Sequence, residues 1–377
     1  MDNRLFTCSM LWYFCAFPIL PIASLAVPQS KDVSSSALLT DTAKRFVRAE
    51  ESDPLPLQQK PRGDPREYQY AVLSNGLQVV NIFDPNSTQA AVSVAASVGS
   101  LSDPKGFDGL AHLTEHAMFL GSEKFPEQSG FDVWLAERGG FSNAYTAEEQ
   151  TVYYVALNEE DFEACLDRYS DVFNAPLFEA SWIWDEVSAV DSEHNKNRNS
   201  QDWRLQELIR HHADERSPMH RFHTGSRATL QRTSKETLAA EIQAFFAANY
   251  CPPRLRLVTF GPRPVQWQLE KARAFFERIP RAGRAGRCAA EAPSFANPPP
   301  FPNSTLGTML RMEGLATQAE LHLVFPMRNL QPWVRSRPMA YLDHIVNYGG
   351  PGSLVVALRD ELGLASDVSV DSQDLSA

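Results

Sequence analysis

Cysteine is scarce in this 377-residue chain: there are five, and no two stand in a CxxC pair, so neither a disulfide scaffold nor a cysteine-based zinc site is encoded. Cys8 and Cys15 fall within the first 26 residues, and Cys165, Cys251 and Cys288 are scattered over the rest, which leaves room there for one disulfide at most. An excess of positive charge is also missing. The net charge of −11 provides no basic field to hold nucleic acid, which removes nucleic acid from the expected partners. What is present is the composition of a soluble globular protein, 43 % hydrophobic and 21 % charged, in a chain long enough for two domains or for one and part of another.

The amino-terminal segment differs from the rest. Arg4, an apolar run over residues 5–20 and the small residues Ser24 and Ala26 predict a signal peptide over residues 1–26, and with it a secreted or secretory-pathway protein. The apolar run is nearly long enough to span a bilayer, so an uncleaved membrane anchor is the alternative; Asp2 and the shortage of arginine argue against a mitochondrial presequence. Two acceptor sequons, at Asn86 and Asn303, are compatible with secretion. Residues 27–66, rich in Ser, Pro, Gln and charge, predict a flexible leader.

The folded part begins near Tyr68. "YQYAVLSNGLQVVNIFD" sets two β-rich runs around Asn75-Gly76, a strong hairpin signal, and "AAVSVAASVGS" suits a strand buried on both faces. A turn-rich loop leads into a helix containing "GLAHLTEHAMFLGS"; "FDVWLAERGG" predicts a short helix stopped by glycines, and "TVYYVALN" a strand. Long helical patterns cover 159–175 and 179–213, and a strand "LRLVTFGP" and a helix "VQWQLEKARAFFERIP" complete the unit. Strands and helices alternate, but the opening hairpin means that the sheet is not purely parallel. Residues 281–300 form a Gly, Ala and Pro-rich linker, after which "TLGTMLRM" and "AELHLVFP" predict strands and the segment around Met339 and Tyr348 a helix. No internal repeat of short period is found.

The chemistry concentrates in "HLTEH". On a helix His112 and His116 project from one face, so two imidazoles reach one cation, and zinc accepts neutral imidazole with a third protein ligand and water. Glu115 shares that face beside the water position, where a carboxylate can take a proton from the water and return it to a leaving amine. The H-x-x-E-H spacing is the inverted zincin pattern. A third ligand is available in "WDEVSAVDSEHNKN", where Glu186 and Glu193 lie two helical turns apart on one face; one can bind the metal and the other support a histidine, and spacing does not decide which.

The segments "HLTEHAMFLGSEKFP", "GGFSNAYTAEEQTVYYV", "APLFEASWIWDEVSAVDSEHNKN" and "DWRLQEL", in that order, resemble the zinc-site half of the insulysin and pitrilysin metallopeptidase family, and "HLVFPMRNLQPWVRSRPMAYLDHIVNYGGPGSLVVALRDELG" resembles the start of that family's second domain. The resemblance implies an α+β fold with a mixed, largely antiparallel sheet packed by helices, as a catalytic domain over 67–280, the linker 281–300 and a partial second domain over 301–377. It implies Zn2+ held by His112, His116 and Glu193, with Glu115 as general base, Glu186 in support and Asn143 of "SNAYT" near the substrate backbone. The implied activity is zinc-dependent endopeptidase cleavage of peptides and small unfolded polypeptides. The family's other half, which supplies an arginine and a tyrosine for substrate and oxyanion, has no counterpart here. The alternative is therefore a zinc-binding, weakly active or inactive partner subunit, or a fragment, completed by a second chain or the missing half. Thr114 replaces a cysteine found in insulysins, and a secretory leader is unusual in a family whose members are mainly cytosolic.

Overall fold

The computed structural model describes residues 6–14 and 60–373, apart from 62, 284, 296–297, 316–318, 328–329, 331–332 and 334–335. The expected flexible leader, but for its last residues, and most of the expected signal peptide lie outside the described residues. Strand β1, Phe6–Phe14, falls inside the apolar run of that signal; it pairs in parallel with two strands near the other end of the chain, described below.

The Asn-Gly signal produces the expected hairpin. Strand β2, Glu67–Val72, turns through Asn75 and Gly76, the latter at φ 93°, into β3, Gln78–Phe83. Asn75 Nδ2 donates to the carbonyls of Phe276 and Ile279 at 2.9 Å each, which ties this turn to the end of a distant helix. The alanine-rich run forms β4, Gln89–Ala96, with one face fully buried and the other mostly half-buried, in keeping with a central strand. Three further strands, β5 Phe141–Thr146, β6 Thr151–Asn158 and β7 Leu255–Gly261, complete a six-stranded sheet in the order β2-β3-β7-β4-β6-β5. Only the β3–β7 pairing is parallel; the other pairs are antiparallel, as expected for a mixed, largely antiparallel sheet.

Helices α1 Leu110–Ala117, α2 Gly130–Ala136, α3 Phe162–Asn174, α4 Ala180–Asn197, α5 Gln201–His212, α6 Lys235–Asn249 and α7 Val265–Phe276 surround the sheet. Their apolar residues, among them Leu113, Tyr169, Val187 and Ile242, share one buried cluster with Val79, Val94 and Leu257 of the strands. The helix expected over 179–213 is two helices. The break falls at 198–200: Asn199 Nδ2 takes up the carbonyl of Asn195, Ser200 N donates to Asn197 O, and the next helix starts after Ser200, which is extended.

Beyond residue 300, β8 Ala319–Met327, β9 Ala365–Gln373 and helix α8 Pro338–Val346 are formed, and β1 lies between β8 and β9. "TLGTMLRM" is not a strand; its start closes a short 3-10 turn, Asn303–Thr305, and Gly307 follows at φ 72°, outside strand geometry. One disulfide joins Cys251 to Cys288, with Cα atoms 6.0 Å apart, while Cys165 is free and buried. Among the described residues no helix is long and apolar enough to cross a membrane.

Candidate metal centre

Burial of Leu110, Leu113 and Ala117 sets the rotation of α1, and His112, Glu115 and His116 then line a cleft. The start of α1 is held unusually tightly. Asp103 accepts hydrogen bonds from the backbone N–H of Gly109 (2.6 Å) and Ala111 (2.7 Å), satisfying donors that the helix itself leaves unpaired. Burial pushes its carboxyl up to about 7, against those two amide donors and Arg221. Gly109, at φ 91°, lies so close to Gly225 that a Cβ would stand 2.1 Å from the Gly225 Cα.

Each imidazole is oriented through its Nδ1. His112 Nδ1 stands 2.6 Å from the carbonyl oxygen of Thr224, so it carries the hydrogen, and Nε2 is left as a lone-pair donor to the cleft. His116 Nδ1 donates to Glu186 Oε1 at 2.8 Å, which turns its Nε2 toward the cleft. The two Nε2 atoms are 3.3 Å apart, and Glu193 Oε2, from α4, is 3.2 Å from that of His112 and 3.7 Å from that of His116. Three ligands at about 2.05 Å around a tetrahedral ion stand about 3.4 Å from one another, so this triangle has the dimensions of a zinc face. Glu115 lies beside it, with one donor atom each of His112, Glu115 and His116 within 4.8 Å of one another. Its own Oε2 accepts a 2.5 Å hydrogen bond from Thr146 Oγ1.

The electrostatics match a cation-shaped site. Burial opposes charge on His116, but its contacts with Glu186 and Glu193 prevail and push its pKa up to about 10. The two histidines hold Glu193 well below the usual carboxylate range, while burial raises Glu115.

The cleft, about 450 Å³, runs along β5, which pairs with β6 on one side and has no strand on the other among the described residues. Asn143 is on this strand, exposed, with its Oδ1 accepting from Ala144 N; it is a strand residue and not part of a turn. Sequence reading brought out His112, Glu115, His116, Asn143, Glu186 and Glu193, and all six line this one cleft. It passed over Thr146, although "SNAYT" contains it, and over Trp203 and His223, whose rings stack at 5.8 Å in the same cleft. His194, His211 and His212 lie elsewhere, His194 against Phe222 and His212 on the carbonyl of Thr305.

Residues 78–216 match the model of the insulinase peptidases, family M16, and residues 237–376 that of the M16 inactive domain. The peroxisomal insulin-degrading enzyme-like 1 of Arabidopsis thaliana is 35 % identical over 314 residues, 82 % of this chain and 31 % of that protein. Human insulin-degrading enzyme is 32 % identical over 301 residues, 79 % of this chain and 29 % of its own length. This chain thus spans about 30 % of the length of these relatives. Among solved structures, pitrilysin shares the fold, with a TM-score of 0.68 at 21 % identity over 82 % of this chain and 32 % of pitrilysin. With an inverted zincin helix facing an acidic one, and two models of one peptidase family matched in succession, the chain belongs to the insulinase peptidases, family M16.

Proposed function

We propose that the chain carries the zinc centre of a metalloendopeptidase that hydrolyses peptide bonds in peptides and small unfolded polypeptides. The observation that carries this reading is the triangle of His112 Nε2, His116 Nε2 and Glu193 Oε2, with edges of 3.3, 3.2 and 3.7 Å and each imidazole's Nδ1 already engaged. These three side chains are the ligands, and Glu186 fixes the ring of His116 from behind. Zinc held there would acidify a water and polarise the scissile carbonyl.

The protein's own groups then do the following. Glu115 removes a proton from the attacking water and returns it to the leaving amine; its raised pKa suits a group that must hold that proton in transit. The free edge of β5 offers an extended peptide a strand to pair with, next to Asn143, whose amide can both donate to and accept from a peptide backbone. Residues 67–280 are on this reading the catalytic unit, 281–300 a linker and 301–377 part of a second unit of the same family. The leader over residues 1–26 would direct the chain to the secretory pathway, with strand β1 lost once that leader is cleaved, and the Cys251–Cys288 disulfide supports an oxidising compartment.

A specific observation favours the second reading, a zinc-binding subunit with little activity of its own: no arginine or lysine is among the described residues lining the cleft. Cationic donors for the oxyanion would come from a second half or a second chain, and loss of one oxyanion donor costs about a hundredfold to a thousandfold in turnover. The test is zinc content of the purified chain alongside hydrolysis of a quenched fluorescent peptide, for wild type and Glu115→Gln. Zinc near one per chain, with turnover abolished by the substitution, supports the peptidase. Zinc without turnover in wild type supports the subunit, and absence of zinc refutes both.

A further inference from the structure

The plane of the Glu115 carboxylate is not set by the helix that carries it. Helix α1 fixes where its side chain starts, but the terminal torsion of a glutamate is broad and roughly two-fold, so backbone position does not set the plane of the carboxylate. Its side chain is almost wholly buried, and Thr146 Oγ1, at 2.5 Å from Oε2, is the sole hydrogen-bond donor to it among the described residues. An ionised carboxylate only accepts, so the hydroxyl hydrogen points at Oε2 and the other oxygen is left for the proton in transit.

Thr146 is itself held by the sheet. It is the last residue of β5 and pairs in register with Thr151 of β6. Thr151 is fully buried, its Oγ1 donates to Val98 O at 2.8 Å, and it stands 3.5 Å from Thr146 Oγ1. The β-branched side chain of Thr146 has few rotamers of its own on a strand.

We propose that Thr146 is a positioning residue for Glu115: its hydroxyl holds the carboxylate in one plane, with one oxygen occupied and the other presented to the reacting proton. This rests on the peptidase reading of the same site. It also links two parts of the site that are separate in sequence, because the strand whose free edge lines the cleft is the strand that aims the base. A substrate that settles on β5 therefore meets a base already oriented from that strand.

The test compares Thr146→Val, which keeps the branched shape and removes the hydroxyl, with Thr146→Ser, which keeps the hydroxyl. Each is measured for zinc content, melting temperature, kcat and KM on the quenched peptide, and crystal structures of wild type and Thr146→Val are solved. Misplacing a reacting group by about 1 Å can cost about a hundredfold, so Thr146→Val is expected to lower kcat by about tenfold to a hundredfold. KM and zinc content stay close to wild type, Thr146→Ser recovers kcat, and the Glu115 carboxylate, single in wild type, spreads over more than one orientation in Thr146→Val. The proposal is overturned if Thr146→Val keeps wild-type kcat, if Thr146→Ser falls as far as valine, or if the carboxylate in Thr146→Val stays in its wild-type plane. A chain that binds zinc but does not turn over refutes the peptidase reading alone, and the two crystal structures still decide the role of Thr146.

Discussion

Zinc uptake by this site is expected to steepen with pH in a way that reports on His116. The ring sits between Glu186 and Glu193, and those carboxylates push its pKa from 6.5 up to about 10 in the folded chain without metal. A raised histidine pKa stabilises the metal-free fold fully below about 6.5, and that stabilisation is lost as pH rises through about 10. Zinc needs the same ring neutral, so binding must expel the proton. Between pH 6.5 and 8.5 the ring is almost wholly protonated, its neutral fraction grows about tenfold per pH unit, and the apparent Kd for zinc should fall about a hundredfold across that window. Calorimetric titration with chelator-buffered zinc, in buffers of different ionisation enthalpy, measures both the affinity and the proton released, expected to be about one from this ring. Glu186→Gln removes one of the two carboxylates that retain the proton, so the steep region should shift to lower pH. An affinity flat over that window, with no proton released, would refute the picture of a proton standing where the cation binds.

Three further outcomes concern the start of α1 and the disulfide. Asp103→Ala leaves the donors of Gly109 and Ala111 unpaired at a buried helix start and should lower stability by about 1–3 kcal/mol, read as a drop in melting temperature that Asp103→Asn only partly reproduces. Gly109→Ala places a methyl 2.1 Å from the Gly225 Cα at φ 91°, so α1 must move; zinc per chain should fall along with stability, whereas Gly106→Ala, at the same φ with open space around it, should cost stability alone. Breaking the Cys251–Cys288 disulfide, which closes a loop with a sequence separation of 37, should cost about 4 kcal/mol by chain entropy, seen as a lower denaturant midpoint for Cys288→Ser or after reduction.

Features written in neighbouring residues were legible in the sequence. The hairpin at Asn75-Gly76 and the helix carrying H-x-x-E-H follow from local turn chemistry and helical spacing, and both are formed. Features that depend on what lies across the fold were not. Spacing left Glu186 and Glu193 equivalent; they differ because one meets Nδ1 of His116 and the other its Nε2, a distinction made by the packing of α4 on α1. The break at 198–200 was present as Asn and Ser but masked by apolar periodicity on both sides. β5 was passed over because Gly139 and Gly140 precede it and its alternation is weak, so Asn143 stood out only through the family resemblance and Thr146 not at all. Three scattered cysteines set a limit of one bridge, and only the approach of the linker to the start of β7 makes Cys251 and Cys288 the pair.

That bridge has a topological result. Between Cys251 and Cys288 run β7, which lies inside the sheet, and α7, followed by a segment in which Arg281, Ala282 and residues 285–287 are exposed. The covalent ring thus contains an element of the core and an element open to solvent. A single peptide-bond cut in the exposed part opens the ring without dividing the molecule: the piece ending there and the piece beginning there stay joined through sulfur, and they part only when a reductant is added.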